Sequence, residues 1–250
     1  MFAIISDIHS NLAALQAVLE DIQKRGIKEI FCLGDIVGYG PQPKECLDLI
    51  IDRHIASIIG NHDHAVFYEP TNFNTGAERA SYWTRQVLEE EPDREKRNQR
   101  WSFLGRLPTR LQMGGITLVH GSPRKPINEY IFPDDIYTNT AKINAIFERV
   151  KHLCFVGHTH VPGVFLEDPD FYSVDELEYI YTINENERAI INVGSVGQPR
   201  DHDTRSSYVA VNEEKVEFVR VAYNIEETVA KIFANKDLDN FEGERLRDGR

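Results

Sequence analysis

Five short polar clusters lie in the first 160 residues, and each follows directly on a run of apolar residues. The clusters are Asp7-Ile8-His9, Gly34-Asp35, Gly60-Asn61-His62-Asp63, His120-Gly121 and Gly157-His158-Thr159-His160. Such apolar runs are typical of buried strands, and the carboxyl ends of parallel strands meet at one edge of a sheet. Side chains far apart in the sequence can therefore converge on one point. This placement constrains the fold more than any single residue does.

The first 60 residues alternate between strand-like and helix-like segments. Segments near 2–7, 28–33 and 55–59 have the composition of buried strands, and segments 11–25 and 42–53 have helical spacing. The apolar stripe of the first helix is Leu12, Leu15, Val18, Leu19 and Ile22. We expect Asn11 to cap the start of this helix and Gly26 to end it. The alternation predicts a mostly parallel sheet with right-handed crossovers.

The segment from about 65 to 107 differs in character. Glutamate, arginine and glutamine are interleaved with aromatic and aliphatic residues, and Pro92 interrupts the pattern. The pattern predicts two helices, which we interpret as a helical insertion that forms a cap over the clusters. The alternative is a pair of ordinary packing helices that do not contact a substrate.

After Pro108 the sequence becomes strand-like again. A hairpin is expected around Gly114-Gly115, and a helix near 139–151 precedes a strand at 153–156. Further short strands are expected at 162–166, 178–183, 189–193, 207–212 and 215–222. So many strands after an alternating start predict a second sheet packed on the first. From residue 225 onward we expect a short helix and then a charged, frayed end.

The composition excludes several classes of protein. With 250 residues, 41% of them hydrophobic, the chain can form one sizeable core, and we expect one domain over residues 1–250. The cysteines Cys32, Cys46 and Cys154 lack C-x-x-C spacing, which argues against a disulfide framework or a thiolate zinc site. No apolar stretch approaches the roughly 18 residues that cross a membrane, and no basic leader precedes the first strand. We therefore expect a cytoplasmic protein.

The formal charge of −12 bears on possible partners. Nonspecific affinity for nucleic acid depends on basic patches that release counterions, so a nucleic acid polymer is an unfavourable partner. Two bound divalent cations would reverse the charge locally and attract a small phosphorylated substrate. The sequence leaves the oligomeric state open.

The backbone around the clusters supports two further expectations. Residues two apart in a strand point to the same side, so two pairs of donors are each expected to aim in one direction. The pairs are Asp7 with His9, and His158 with His160. Three glycines stand immediately before a candidate ligand, where the backbone turns out of a strand, and are expected to have positive φ. They are Gly34, Gly60 and Gly157.

The order of the clusters resembles the calcineurin-like metallophosphoesterase superfamily, whose pattern runs D-x-H, GD-x-x-x-G, GNH[DE], H and GH-x-H. The second block fits the pattern GD-x-x-x-G only loosely, because this chain has a glycine at position 38 as well as at position 40. The segment 194–200, Gly-Ser-Val-Gly-Gln-Pro-Arg, resembles a bacterial branch of that superfamily. The resemblance implies a four-layer α/β/β/α sandwich of two mixed sheets with the site at their carboxyl edge. The chain pattern alone predicts only an α/β fold with a second sheet.

The resemblance also implies a ligand set for two divalent transition-metal ions. Asp7, His9, Asp35 and His160 would hold one ion, and Asp35, Asn61, His120 and His158 would hold the other. Asp35 would therefore bridge the two. Imidazole and oxygen donors without thiolates favour manganese, iron, zinc, nickel or cobalt over a magnesium-only site, and manganese is our first choice.

The reaction that the resemblance implies is in-line attack on phosphorus by a hydroxide shared between the two ions. His62 would be the general acid and Asp63 would fix its tautomer, although His62 could instead serve only in orientation. Arg124 and Arg200 are expected to clamp phosphate oxygens, or else to form surface ion pairs. Tyr39 would stack on a leaving group or simply pack.

We consider four functions on this basis. The leading hypothesis is a metal-dependent phosphoesterase that acts on a small phosphodiester or nucleotide-like substrate. A bis(5'-nucleosyl)-tetraphosphate hydrolase is the closest alternative. A serine/threonine protein phosphatase fits less well, because those enzymes carry an Asp-Arg-Gly in the second block, which here spans Gly34 to Gly40 without one, and Glu where this chain has Asp63. A non-catalytic scaffold is disfavoured because every ligand position and His62 are retained.

Overall fold

The apolar runs and amphipathic segments form twelve strands and nine helices in a computed structural model that describes all residues 1–250. The strands are β1 (Phe2–Ile5), β2 (Glu29–Cys32), β3 (Ala56–Ser57), β4 (Arg110–Met113), β5 (Ile116–Val119), β6 (Leu153–Val156), β7 (Gly163–Leu166), β8 (Asp170–Ser173), β9 (Ile180–Thr182), β10 (Ala189–Asn192), β11 (Ser206–Val211) and β12 (Lys215–Val221). The helices are α1 (Leu12–Lys24), α2 (Pro43–Asp52), α3 (Asn61–Phe67), α4 (Thr75–Glu89), α5 (Arg94–Leu104), α6 (Asp135–Thr138), α7 (Thr140–Phe147), α8 (Ile225–Phe233) and α9 (Asn240–Asp248). None of the helices is long and apolar enough to cross a membrane.

The strands form two six-stranded sheets. The first has the order β3-β2-β1-β11-β12-β9, and the second has the order β4-β5-β6-β10-β7-β8. Strands β1, β2 and β3 are parallel, as are β5, β6 and β10, whereas the remaining pairings are antiparallel. The predicted α/β fold with two mixed sheets flanked by helices is therefore confirmed. The sequence did not predict β8, an edge strand that follows a turn at residues 167–169 and lacks an apolar run.

Apolar side chains fill three layers. Ile4 and Phe155 belong to the layer between the two sheets. Leu15 of α1 belongs to the layer on the outer face of the first sheet, and Ile146 of α7 to the layer on the outer face of the second. Central strands are therefore covered on both sides, which is why they appear in the sequence as continuous apolar runs. All three cysteines are buried and free, as expected from their spacing.

The segment 65–107 forms the expected pair of helices, α4 and α5. Both helices contact α2 and α3 on the flank of the first sheet. Arg100 of α5 is 4% exposed and donates to both carboxylate oxygens of Asp48 on α2, at 2.7 Å each. The connection before α4 reaches the polar clusters, because the ring of Phe73 lies 4.7 Å from that of His62. The interpretation of this segment as a cap stays a prediction.

The expected frayed end is wrong. Residues 240–248 form α9, which packs on α8. Leu246 is 4% exposed and joins a small apolar cluster with Ala80, Val229 and Ile232. Charged residues dominate the composition of α9, but its one buried face is enough to fix it. The charged composition of residues 240–248 therefore gave no indication that they form a packed helix.

This packing makes the tail necessary for stability. We expect Leu246→Ala to lower the free energy of unfolding by about 2–4 kcal/mol, since it removes a buried aliphatic side chain and leaves a cavity. Urea denaturation followed by circular dichroism measures the change. The exposed neighbour Glu244 on the same helix provides the control, and Glu244→Ala should change stability by less than about 0.5 kcal/mol. Equal stability of both variants would show that the tail does not pack.

Candidate metal centre

The clusters follow the carboxyl ends of five parallel strands, β1, β2 and β3 in the first sheet and β5 and β6 in the second. Backbone hydrogen bonds connect the loops within each sheet: Asp7 N–H donates to the Gly34 carbonyl, and Gly157 N–H donates to the His120 carbonyl, both at 3.0 Å. Between the sheets, the His158 backbone N–H donates to Asp7 Oδ2 at 3.0 Å. The two sheets thus present their loops to a common point.

The seven predicted ligands lie in two adjoining groups. In the first, His160 Nε2 lies 3.2 Å from Asp7 Oδ1 and 3.1 Å from His9 Nε2. The second group is centred on His120 Nε2, which lies 2.9 Å from Asn61 Oδ1, 3.1 Å from His158 Nδ1 and 3.3 Å from Asp35 Oδ2.

Asp35 joins the two groups. Its Oδ2 also lies 3.7 Å from His9 Nε2, so one carboxylate oxygen faces both sets of donors. The other oxygen, Oδ1, accepts a hydrogen bond from the backbone N–H of His62 at 2.8 Å. That bond fixes the carboxylate in the position between the groups, which is the position expected of a bridging ligand.

Backbone carbonyls fix the protonation of three imidazoles. The Nδ1–H of His9 donates to Val37, that of His120 to Leu33 and that of His160 to Gln198, at 3.3, 3.0 and 2.6 Å. A carbonyl can only accept, so Nδ1 carries the proton in each ring. Each Nε2 is directed at the centre, where it could bind a metal ion in place of a proton, which is the usual arrangement of histidines that bind metals.

These donors fit divalent transition-metal ions. Asp7 Oδ1 faces the first group and is buried without any hydrogen-bond partner. Burial lowers the pKa of His9 and His160, so their Nε2 lone pairs face each other at 3.1 Å without a proton to share. Although burial opposes it, the Asp35 carboxylate raises the pKa of His120 to about 9. Positive charge is therefore favoured among these nitrogen and oxygen donors, which suit such ions.

The backbone of the ligands themselves is strained. Asp7, His9, Asp35, His158 and His160 have φ between 48° and 68°, in the left-handed region that residues other than glycine rarely adopt. Such strain concentrates at functional sites and costs on the order of 1–3 kcal/mol per residue. The strand alternation used for the sequence therefore does not apply. The expectation that His158 and His160 aim in one direction is wrong, since they belong to different groups.

Positive φ at the three glycines is confirmed only for Gly34, at 96°. Gly60 has an ordinary φ of −92°, and Gly157 is also outside the positive region. At these two positions the requirement is space. A Cβ atom at Gly60 would overlap the Asp35 carboxylate, and one at Gly157 would overlap Asp7 Oδ2.

The space at Gly157 gives a testable prediction. Gly157→Ala should lower the free energy of unfolding by about 1–3 kcal/mol and weaken metal binding, because its methyl group displaces the Asp7 carboxylate. Thermal unfolding and elemental analysis measure the two effects. Gly76→Ala is the matched control, since a Cβ atom there lies 3.4 Å from its nearest neighbour, and it should be neutral or slightly stabilising. Equal behaviour of the two variants would contradict the steric argument.

His62 lies beside both groups and is 4% exposed. Its ring packs against Tyr39 at 4.4 Å and His9 at 4.9 Å between ring centroids, and its Nδ1 has no partner. Burial lowers the pKa of His62 to about 4, with the Asp35 carboxylate opposing the shift. The ring is therefore placed at the centre without being tied to any protein acceptor.

The Asp63 carboxylate forms no hydrogen bond with the His62 ring, so the expected tautomer-fixing role is wrong. Its Oδ2 accepts hydrogen bonds from the backbone N–H groups of Asp35 and Gly60, at 2.8 and 3.0 Å. Its Oδ1 accepts from those of Ile36 and Val37, at 3.0 and 3.2 Å. Asp63 is thus a buried anchor for the loop that presents Asp35. A carboxylate in the first turn of α3 is suited to accept from these amides.

The two arginines differ in placement. Arg124 forms an ion pair with Glu129, with Nη2 2.5 Å from Oε1, which is the alternative considered for it. Arg200 has no carboxylate partner, and its guanidinium donates to Gln198 Oε1 and lies 5.8 Å from the centroid of the Tyr39 ring. Tyr39 is buried against His9 and His62. Arg200 therefore has its charge at the centre, whereas Arg124 is already paired.

Comparison with known proteins agrees with this geometry. A family model described as "calcineurin-like phosphoesterase superfamily domain" matches residues 1–215. The chain belongs to the calcineurin-like phosphoesterase superfamily. An uncharacterised protein of Methanocaldococcus jannaschii is 41% identical to it over 100% of this chain and 98% of that protein.

Two solved structures share the fold of this calcineurin-like phosphoesterase. The crystal structure of a metallophosphoesterase from Sphaerobacter thermophilus is 39% identical, covers 100% of this chain and 98% of that one, and has a TM-score of 0.80. A hypothetical protein from Pyrococcus horikoshii has the same coverage, with 22% identity and a TM-score of 0.74. The second likeness concerns the fold alone.

The segment 194–200 of this phosphoesterase is hydrogen-bonded to the loop that carries Asp7. The backbone N–H of Val196 donates to the Ser6 carbonyl and that of Gly197 to the Asp7 carbonyl, both at 2.9 Å. Gln198 then connects the centre to the C-terminal helix, because its Nε2 donates to Glu242 at 2.9 Å. This segment holds the strained Asp7 loop in place.

Sequence reasoning missed three aromatic residues at the centre. The ring of Phe73 packs at a tilt against that of His62, and Tyr130 stacks on His158 with 3.8 Å between ring centroids. Phe132 in turn lies parallel to Tyr130 at 5.3 Å. The only available signal was the pair of aromatic residues two apart, Tyr130 and Phe132, in the loop that follows the His120 cluster.

Proposed function

We propose that this phosphoesterase hydrolyses small phosphodiesters or nucleotide-like substrates with two divalent transition-metal ions, manganese being our first choice. The proposal is carried by one observation, the carboxylate of Asp35 between two groups of buried donors. Asp7, His9 and His160 would complete one ion site, and Asn61, His120 and His158 the other. Bound there, the ions would supply an activated water and positive charge against the phosphoryl oxygens.

The chain itself would bind and orient the phosphate. Arg200 is the arginine without a carboxylate partner at the centre, and because its Nε and Nη2 donate to Gln198 Oε1, its Nη1 is left to donate to a phosphate oxygen. The His62 ring packs beside both groups and is not hydrogen-bonded to any protein acceptor, which supports a role in proton transfer to the leaving oxygen. Asp63 would act indirectly, by holding the loop of Asp35.

A metal and substrate panel tests the proposal. The purified protein is stripped with a chelator and reloaded separately with manganese, iron, zinc, nickel or cobalt. Hydrolysis of bis(p-nitrophenyl) phosphate, p-nitrophenyl phosphate and diadenosine tetraphosphate is then measured. We expect activity only after reloading, with the diester preferred. Cleavage of the tetraphosphate alone would favour the bis(5'-nucleosyl)-tetraphosphate hydrolase, and inactivity toward all three would contradict the proposal.

A further inference from the structure

Two aromatic rings extend from the centre toward solvent. The Tyr130 ring stacks on His158 with 3.8 Å between centroids and 23° between planes. Phe132 continues the stack, with 5.3 Å between centroids and 4° between planes. We call these two residues the aromatic ladder. It begins on a candidate metal ligand and ends at the surface.

The ladder is not part of the apolar core. Tyr130 is 42% exposed and Phe132 is 48% exposed, whereas Ile131 between them is 2% exposed and belongs to the core of the second sheet. Alternation along the backbone thus buries Ile131 and leaves both rings outside. The backbone N–H of Phe132 donates to Asp135 Oδ2 at 2.7 Å, which holds the ladder in position. Rings that are held in place but left exposed offer a flat surface to a ligand.

We propose that the aromatic ladder binds the base of a nucleotide whose phosphate lies at the metal centre. This inference rests on the proposed function and narrows its substrate class to nucleotides. A nucleotide joins its phosphate to its base through one sugar, which matches a stack that begins beside the phosphate site and extends outward. Every nucleobase has a flat face that stacks on aromatic side chains, whatever its hydrogen-bonding groups. The outer ring, that of Phe132, has no hydrogen-bonding group of its own, so the ladder would accept more than one base.

A pair of ligands that differ only in the base tests the ladder. Binding of adenosine 5'-monophosphate and ribose 5-phosphate to the metal-loaded full-length protein is measured by calorimetry. The wild-type protein should bind the nucleotide about fivefold more tightly or better, the lower range of base stacking on an aromatic side chain. Phe132→Leu should remove that preference without changing the affinity for ribose 5-phosphate. Phe132→Trp, which keeps a flat ring, should retain it.

Tyr137 provides the matched control. It is 80% exposed on α6 and has no aromatic neighbour, so Tyr137→Leu should leave both affinities unchanged. Equal affinity of the wild-type protein for the two ligands would overturn the inference, as would an equal loss for both in Phe132→Leu. The proposed function is tested separately, by measuring hydrolysis of bis(p-nitrophenyl) phosphate. A nucleotide preference that depends on Phe132 would support the ladder even in a protein that fails to hydrolyse that diester.

Discussion

Asp35→Asn is expected to reduce turnover by about a hundredfold to a thousandfold and to empty at least one of the two ion sites. The replacement keeps the shape of the side chain and an oxygen that can accept from the His62 backbone N–H. It removes the negative charge and the shared oxygen that faces both His9 and His120. Elemental analysis of the purified variant measures the metal content, and steady-state hydrolysis of bis(p-nitrophenyl) phosphate measures turnover.

Asp52→Asn is the control for this variant, because Asp52 is exposed at the end of α2 and is not one of the seven donors. It should retain the metal content and turnover of the wild-type protein. Full occupancy of both sites in Asp35→Asn would show that Asp35 does not bridge the two groups.

His62→Ala should lower turnover by about a hundredfold or more while leaving the metal content unchanged, since the ring is adjacent to the donors but is not one of the seven. The loss should depend on the leaving group. An ester with a poor leaving alcohol needs a proton more than one with p-nitrophenol, so the variant should be impaired more on the poor leaving group. Comparing kcat for the two esters distinguishes proton transfer from a purely structural role.

The neighbouring His64 supplies the control for His62. It lies on the same helix, is half-buried and packs on Tyr68 rather than at the centre. His64→Ala should keep turnover within about twofold of the wild-type protein. A uniform loss on both esters in His62→Ala would leave His62 as an orienting residue, which is the alternative derived from the sequence.

The fold was predictable where a pattern had a single physical meaning. Runs such as Phe2–Ile5 and Leu153–Val156 are buried on both faces, so composition alone located them. Because the carboxyl ends of parallel strands meet at one edge of a sheet, the same runs also predicted that Asp7 and His158 lie close together. The resemblance then supplied the division of donors between the ions, which spacing alone left open.

Other features depended on contacts that no local pattern records. The positive φ of His158 and His160 is imposed by the packing of the loops, so strand alternation gave the wrong directions for that pair. Asp63 is next to His62 in the sequence, yet its carboxylate accepts a hydrogen bond from the backbone amide of Ile36, which is distant in the sequence. Leu246 fixes α9 through residues of α4 and α8, which composition could not indicate.

The central claim is that the seven donors form one centre for two cations, and anomalous X-ray scattering from crystals of the manganese-loaded protein tests it most directly. We predict two anomalous peaks roughly 3.5–4 Å apart. One should lie among Asp7, His9 and His160 and the other among Asn61, His120 and His158, with Asp35 touching both. A single peak, or peaks away from these side chains, would contradict the account.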